Sequence, residues 1–147
     1  MEITIERTWR HKKSTCVAII NHLTGTRGGY CSVPRSHPFF NKPYDHHSLA
    51  TILVHGGLTY SGKLEWASEY IEEITPNLWW FGFDCFHSLD LPDPELMRNT
   101  ALQEIKQTNI QGRTFKDFNY VKENCNDLAT QLSKSLYNSI DFITSEN

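Results

Sequence analysis

With 147 residues, 39% of them hydrophobic and 12% aromatic, the chain is sized for one domain (1–147) whose core rests on large rings. A formal charge of −3 excludes bulk electrostatic binding to DNA or RNA, and no run approaches the ~20 apolar residues that cross a bilayer. The first residues lack the basic start and apolar stretch of a signal peptide, so a cytoplasmic location is expected. There, Cys16, Cys31, Cys85 and Cys125, widely spaced and without a Cys-x-x-Cys pair, are expected to be free thiols.

Ile3-Thr4-Ile5 and Cys16-Val17-Ala18-Ile19-Ile20-Asn21 read as strands from their β-branched content and short length. Basic residues bunch between them at Arg7, Arg10, Lys12 and Lys13, as expected of a solvated edge. Glycines at 25, 28 and 29 mark a turn before a third strand, Tyr30-Cys31-Ser32-Val33, and the arrangement predicts an antiparallel hairpin. Pro34, Pro38 and Pro43 keep the next stretch irregular. That stretch carries His37, Tyr44, Asp45, His46 and His47, enough polar groups to read as a lid.

Thr51-Ile52-Leu53-Val54-His55 reads as a fourth strand stopped by Gly56-Gly57, and Trp79 to Phe83 as a fifth. Between them Glu65 to Ile74 predicts a helical turn or two, ended by Pro76. Asp93-Pro94-Glu95 is a helix start, with an N-cap aspartate and proline at the first position, and predicts a helix to about Gln107. A last helix opens at Thr114 as N-cap with Asp117 as capping-box acid. Its apolar stripe is Phe115, Phe118, Val121, Cys125, Leu128, Leu132 and Leu136. Strands first and helices late predict an α+β fold, a small antiparallel or mixed sheet of about five strands packed by C-terminal helices.

Two runs carry the chemistry. In the first, His55 ends an apolar strand and meets Gly56 and Gly57, whose backbone N–H groups suit a phosphate or carboxylate, with Thr59 and Tyr60 adding donors. In the second, Asp84, His87 and Asp90 follow an apolar strand at three-residue spacing, which places them on one side of a helical turn. Histidine with two carboxylates suits direct ligand contact, a base oriented by an acid, or a divalent metal. No cofactor is assigned, with a divalent metal left open. Trp79 and Trp80 point to opposite faces of a regular strand, so that one, taken as Trp80, can stack on a base or sugar. The expected ligand-binding set is His37, His55, Gly56, Gly57, Thr59, Tyr60, Trp80, Asp84 and His87. His55, Asp84, His87 and Asp90 are the catalytic candidates if the protein is an enzyme.

Three motifs in order resemble a family of small proteins encoded by tailed bacteriophages. They are Gly29-Tyr30-Cys31-Ser32-Val33-Pro34 with His37-Pro38, then His55-Gly56-Gly57-Leu58-Thr59-Tyr60, then Trp80-Phe81-Gly82-Phe83-Asp84-Cys85 with His87 and Asp90. The resemblance spans roughly residues 28 to 130 and ends in the helix bearing Tyr120, Glu123 and Cys125; Phe86 and Ser88-Leu89 stand where the family has smaller residues. It implies a viral origin, hence a host cytoplasm, and a shared site, but carries over no activity. The expectation is an accessory protein that binds a small nucleotide-like ligand, sequestering a host immune second messenger. The alternatives are a metal-assisted, phosphodiesterase-like hydrolase of such a ligand, and an interaction module inhibiting a host protein. Assembly into a homo-oligomer is left open.

Overall fold

In the computed structural model the described residues are 2–67, 77–98 and 112–145. They form a five-stranded sheet in the order β1-β2-β3-β5-β4, every neighbouring pair antiparallel. The strands are β1 (Ile3–His11), β2 (Ser14–Asn21), β3 (Thr26–Pro34), β4 (Tyr60–Gly62) and β5 (Leu78–Asp84), with one long helix, α1 (Phe118–Ser145), packed on one face. This is the α+β architecture that the order of elements predicts.

β1 runs six residues beyond Ile5 and turns through Lys12 and Lys13, both at positive φ (48° and 68°), into β2. Arg7 and Arg10 therefore lie on an edge strand, where charge discourages pairing with another chain, and Lys12 and Lys13 lie in the turn that ends it. A bulge between Ile5 and Arg7 frees Glu6 to take Arg27 in a bidentate ion pair at 2.8 and 3.0 Å.

Alternation along the strands produces two buried faces. Cys16, Ala18, Cys31, Val33, Phe81 and Phe83 meet Val121, Cys125, Leu128, Ala129 and Leu132 of α1, each helix residue at most 1% exposed. Burial of each large side chain contributes roughly 1.5–3 kcal/mol. A Cβ on Gly29 would lie 2.4 Å from Cys125 Sγ, so this glycine sets how closely α1 approaches β3. On the opposite face Val17, Ile19 and Trp80 pack under Leu64 and Ala67. All four cysteines are free and buried, as expected.

Several expectations change. Thr51–His55 is not a strand: Ile52 and Val54 still pack inward, but the backbone is satisfied by α1. Gln131 clamps Leu53 N and O at 2.8 and 2.7 Å, and Asn124 takes His55 N at 3.0 Å. The fourth strand is instead Tyr60–Gly62, in the run read as ligand-binding. Asp117, not Thr114, caps α1, accepting Tyr120 N at 2.9 Å. Thr114 bridges to Asp90 and Phe115 is 57% exposed, off the apolar stripe. Asp93 caps only a 3-10 turn over Pro94–Leu96, because Met97 is extended. The remainder of the helix expected to about Gln107 falls within residues 99–111, which with residues 68–76 and the side chain of Leu136 lie outside the described part.

Candidate functional site

β5 delivers Asp84 to the end of the sheet. The chain then turns through 85–91 and is held by a parallel bridge, Leu91 N to Thr114 O at 2.8 Å and Thr114 N to Leu89 O at 3.0 Å. This pairing brings Lys116 and Tyr120 to the loop that carries His87 and Asp90. From the other side the Asn124 clamp brings His55.

Asp90, 1% exposed, is the hub. Its Oδ2 lies 2.9 Å from His55 Nε2, 3.2 Å from His87 Nδ1 and 3.0 Å from the His87 backbone N–H, while Lys116 Nζ pairs with Oδ1 at 3.0 Å. Burial pushes the Asp90 carboxyl up, but the hydrogen bond from His55, the Lys116 ammonium, the electrostatic attraction of His55 and the His87 N–H outweigh it and hold it below its ordinary value. The carboxylate is therefore ionised, with Oδ2 hydrogen-bonded and the buried Oδ1 ion-paired to Lys116 but without a hydrogen bond.

Each histidine has a second partner. His55 Nδ1 is 2.6 Å from the Tyr120 hydroxyl, and His87 Nε2 is 3.7 Å from Asp84 Oδ1. Asp84 is itself held by Thr59 Oγ1 at 2.9 Å and by the Phe86 N–H at 3.0 Å. The result is a connected polar chain from Tyr120 through His55, Asp90 and His87 to Asp84 and Thr59. Cys85 lies beside it, buried. Burial first, then the charges of Asp90 and Asp84, push its thiol up to about 12, so it is a packing residue rather than a nucleophile.

On the sheet face away from α1, a groove of about 360 Å³ is walled by Asn21, Thr24, Thr26, Tyr30, Asp84 and His87. Phe86, 45% exposed, also lines it. His87 and Asp84 thus belong to both the groove and the polar chain.

Of the expected residues, His55, Thr59, Asp84, His87 and Asp90 come together. Gly56 joins them for a reason other than anion contact: at φ +67° it lies so close to the His87 ring that a Cβ would sit 2.3 Å from His87 Cε1. Gly57 closes the turn through its N–H to Val54 O at 2.9 Å. Tyr60 packs edge-on against Tyr30 at 5.4 Å and supports the groove wall without lining it.

Two residues fall elsewhere. Trp80 is fully buried on the opposite face of the sheet from α1, a core residue with no surface left to stack on a ligand. His37 is buried, its Nε2 2.8 Å from Leu132 O and its Nδ1 accepting Phe39 N at 3.0 Å. Leu132 is twelve residues along α1 from Tyr120, about 18 Å at the helical rise. His37 therefore pins the proline stretch to the helix, and its segment is not a lid over this cluster.

Sequence reasoning missed Lys116 and the role of Tyr120. The one signal was Tyr120 and Asn124, polar residues four apart beside the apolar stripe, which share a helix face.

Among the described residues no helix is long and apolar enough to cross a membrane. Comparison with models of known protein families, with curated proteins and with solved structures returns no match.

Proposed function

We propose that the protein captures a small nucleotide-like ligand in the groove beside His87, as an accessory protein of phage origin that intercepts a host immune second messenger. The observation that carries this reading is the double membership of His87 and Asp84, which line the groove and anchor the polar chain behind it. The lining suits the chemistry: Phe86 offers ring surface for a base, Thr24, Thr26 and Asn21 offer small polar groups, and Asp84 can accept ribose hydroxyls. His87, which lines the groove, can meet a phosphate oxygen.

A second reading, hydrolysis of the same ligand, is favoured by one further observation. A buried, ionised carboxylate orients two imidazoles, the arrangement by which a histidine is set up as a general base or acid.

One experiment separates them. The protein is incubated with cyclic mono- and dinucleotides and cyclic ADP-ribose isomers, and the supernatant is chromatographed before and after heat denaturation. Capture predicts depletion of one compound and its intact release on heating. Hydrolysis predicts a new product peak. If every compound stays free and unchanged, both readings fail.

A further inference from the structure

We infer that His55, His87 and Asp90 form a divalent transition-metal site of zinc type, with Tyr120, Asp84 and Lys116 as its outer partners. His55 Nε2, His87 Nδ1 and a carboxylate oxygen of Asp90 all lie within 4.8 Å of one another. The two nitrogens stand 2.9 and 3.2 Å from Oδ2. Donor atoms around a tetrahedral zinc, each at about 2.0–2.1 Å, are separated by about 3.3 Å. Both nitrogen–oxygen separations are already close to that value.

The atoms on the far side of each ligand make the stronger case. Metal-bound histidines present their other ring nitrogen to an oriented acceptor, and ligating carboxylates are themselves hydrogen-bonded. Here His55 Nδ1 faces Tyr120, His87 Nε2 faces Asp84, and Asp90 Oδ1 pairs with Lys116. His55 Nδ1 is hydrogen-bonded, His87 Nε2 stands 3.7 Å from Asp84 Oδ1, and the buried Asp90 Oδ1 has an ion pair but no hydrogen bond.

Two nitrogens and one oxygen are the donor set of zinc and its first-row neighbours rather than of calcium or magnesium. Three protein ligands leave a coordination position for water or a ligand oxygen, as in catalytic rather than structural sites. The His87 side chain is 36% exposed and also lines the groove.

The inference is independent of which nucleotide the groove takes, and its test uses none. Chelator-stripped protein is titrated with Zn2+ against a chromophoric competitor, and with Co2+ while its visible spectrum is recorded. One Zn2+ per chain is expected, with a Co2+ spectrum of four- or five-coordinate type. His87→Ala should weaken Zn2+ at least about 100-fold, and Tyr120→Phe, which keeps all three ligands, about 10-fold. His46→Ala/His47→Ala, removing the adjacent rings 4.2 Å apart elsewhere on the chain, should change nothing. Thermal unfolding confirms that each variant is folded. The inference is overturned if the wild type takes no stoichiometric Zn2+, if Tyr120→Phe and His87→Ala bind it as the wild type does, or if the ion is lost with His46 and His47 instead. Such a failure leaves nucleotide capture standing, because retention of a nucleotide is measured separately.

Discussion

The side-chain oxygen of Asn124 accepts the backbone N–H of His55 at 3.0 Å, so the helix that closes the core also sets the position of the site histidine. Asn124→Ala leaves that N–H without its acceptor, and we expect a loss of about 1–2 kcal/mol in chemical unfolding. Ligand and metal affinity should fall further than stability alone explains, because His55 is released. Gln131→Ala removes the neighbouring clamp on Leu53, which is 77% exposed, and should cost under about 1 kcal/mol and leave binding intact. Equal effects on binding would show that the clamps serve the fold alone.

Gly56 and Gly57 offer a matched pair. Both have positive φ (67° and 81°), so alanine at either position carries a backbone cost of about 1–2 kcal/mol. At Gly56 the new Cβ meets the His87 ring, whereas at Gly57 it meets nothing within 4 Å. Gly56→Ala should therefore abolish binding at the cluster and Gly57→Ala should preserve it, at similar unfolding midpoints. Loss of binding in Gly57→Ala alone would restore the Gly57 N–H as an anion contact.

Trp80 separates core from site. It is fully buried, and no described acceptor reaches its indole Nε1. Trp80→Phe leaves a cavity but removes an unsatisfied donor, a net cost of about 1–2 kcal/mol in urea unfolding. Nucleotide retention should equal that of the wild type. A specific loss of retention would return Trp80 to the ligand site.

His37 makes stability pH-dependent. Burial is the main cause that lowers its affinity for a proton, and its Nδ1 must stay bare to accept Phe39 N. The unfolded chain, with an ordinary histidine near 6.5, thus binds a proton that the folded chain refuses. Stability from this residue is fully present above about pH 6.5 and is lost as pH falls through the depressed folded value. Wild-type unfolding free energy should drop between pH 7.5 and 5.5, with His37 contributing at most about 1.4 kcal/mol per pH unit. His37→Gln should flatten that slope. An identical slope in the variant would remove His37 as its source.

Much of the sheet was legible because β-branched and aromatic runs at 16–21, 30–33 and 79–83 have no competing periodicity. Thr51–His55 was misleading: Ile52 and Val54 alternate as in a strand, but Asn124 and Gln131, about seventy residues away, supply its hydrogen bonds. β4 was not legible, since three residues ending in glycine carry no pattern. In the cluster, the spacing of Asp84, His87 and Asp90 pointed to one site, and His55 belonged to the second motif. Lys116 and Tyr120 depend on the bridge between Asp90 and Thr114, a non-local pairing that no window of sequence displays. His37 had the right chemistry in the wrong place, because proline spacing says nothing about which end of α1 receives the loop.

The most direct test of the account is nucleotide retention by the wild type and His87→Ala in parallel, against the same cyclic nucleotides and cyclic ADP-ribose isomers. The account predicts that the wild type depletes one compound from solution and that His87→Ala, folded with an unchanged melting temperature, leaves it free. Retention by His87→Ala equal to the wild type would contradict it and place the site away from the histidine cluster.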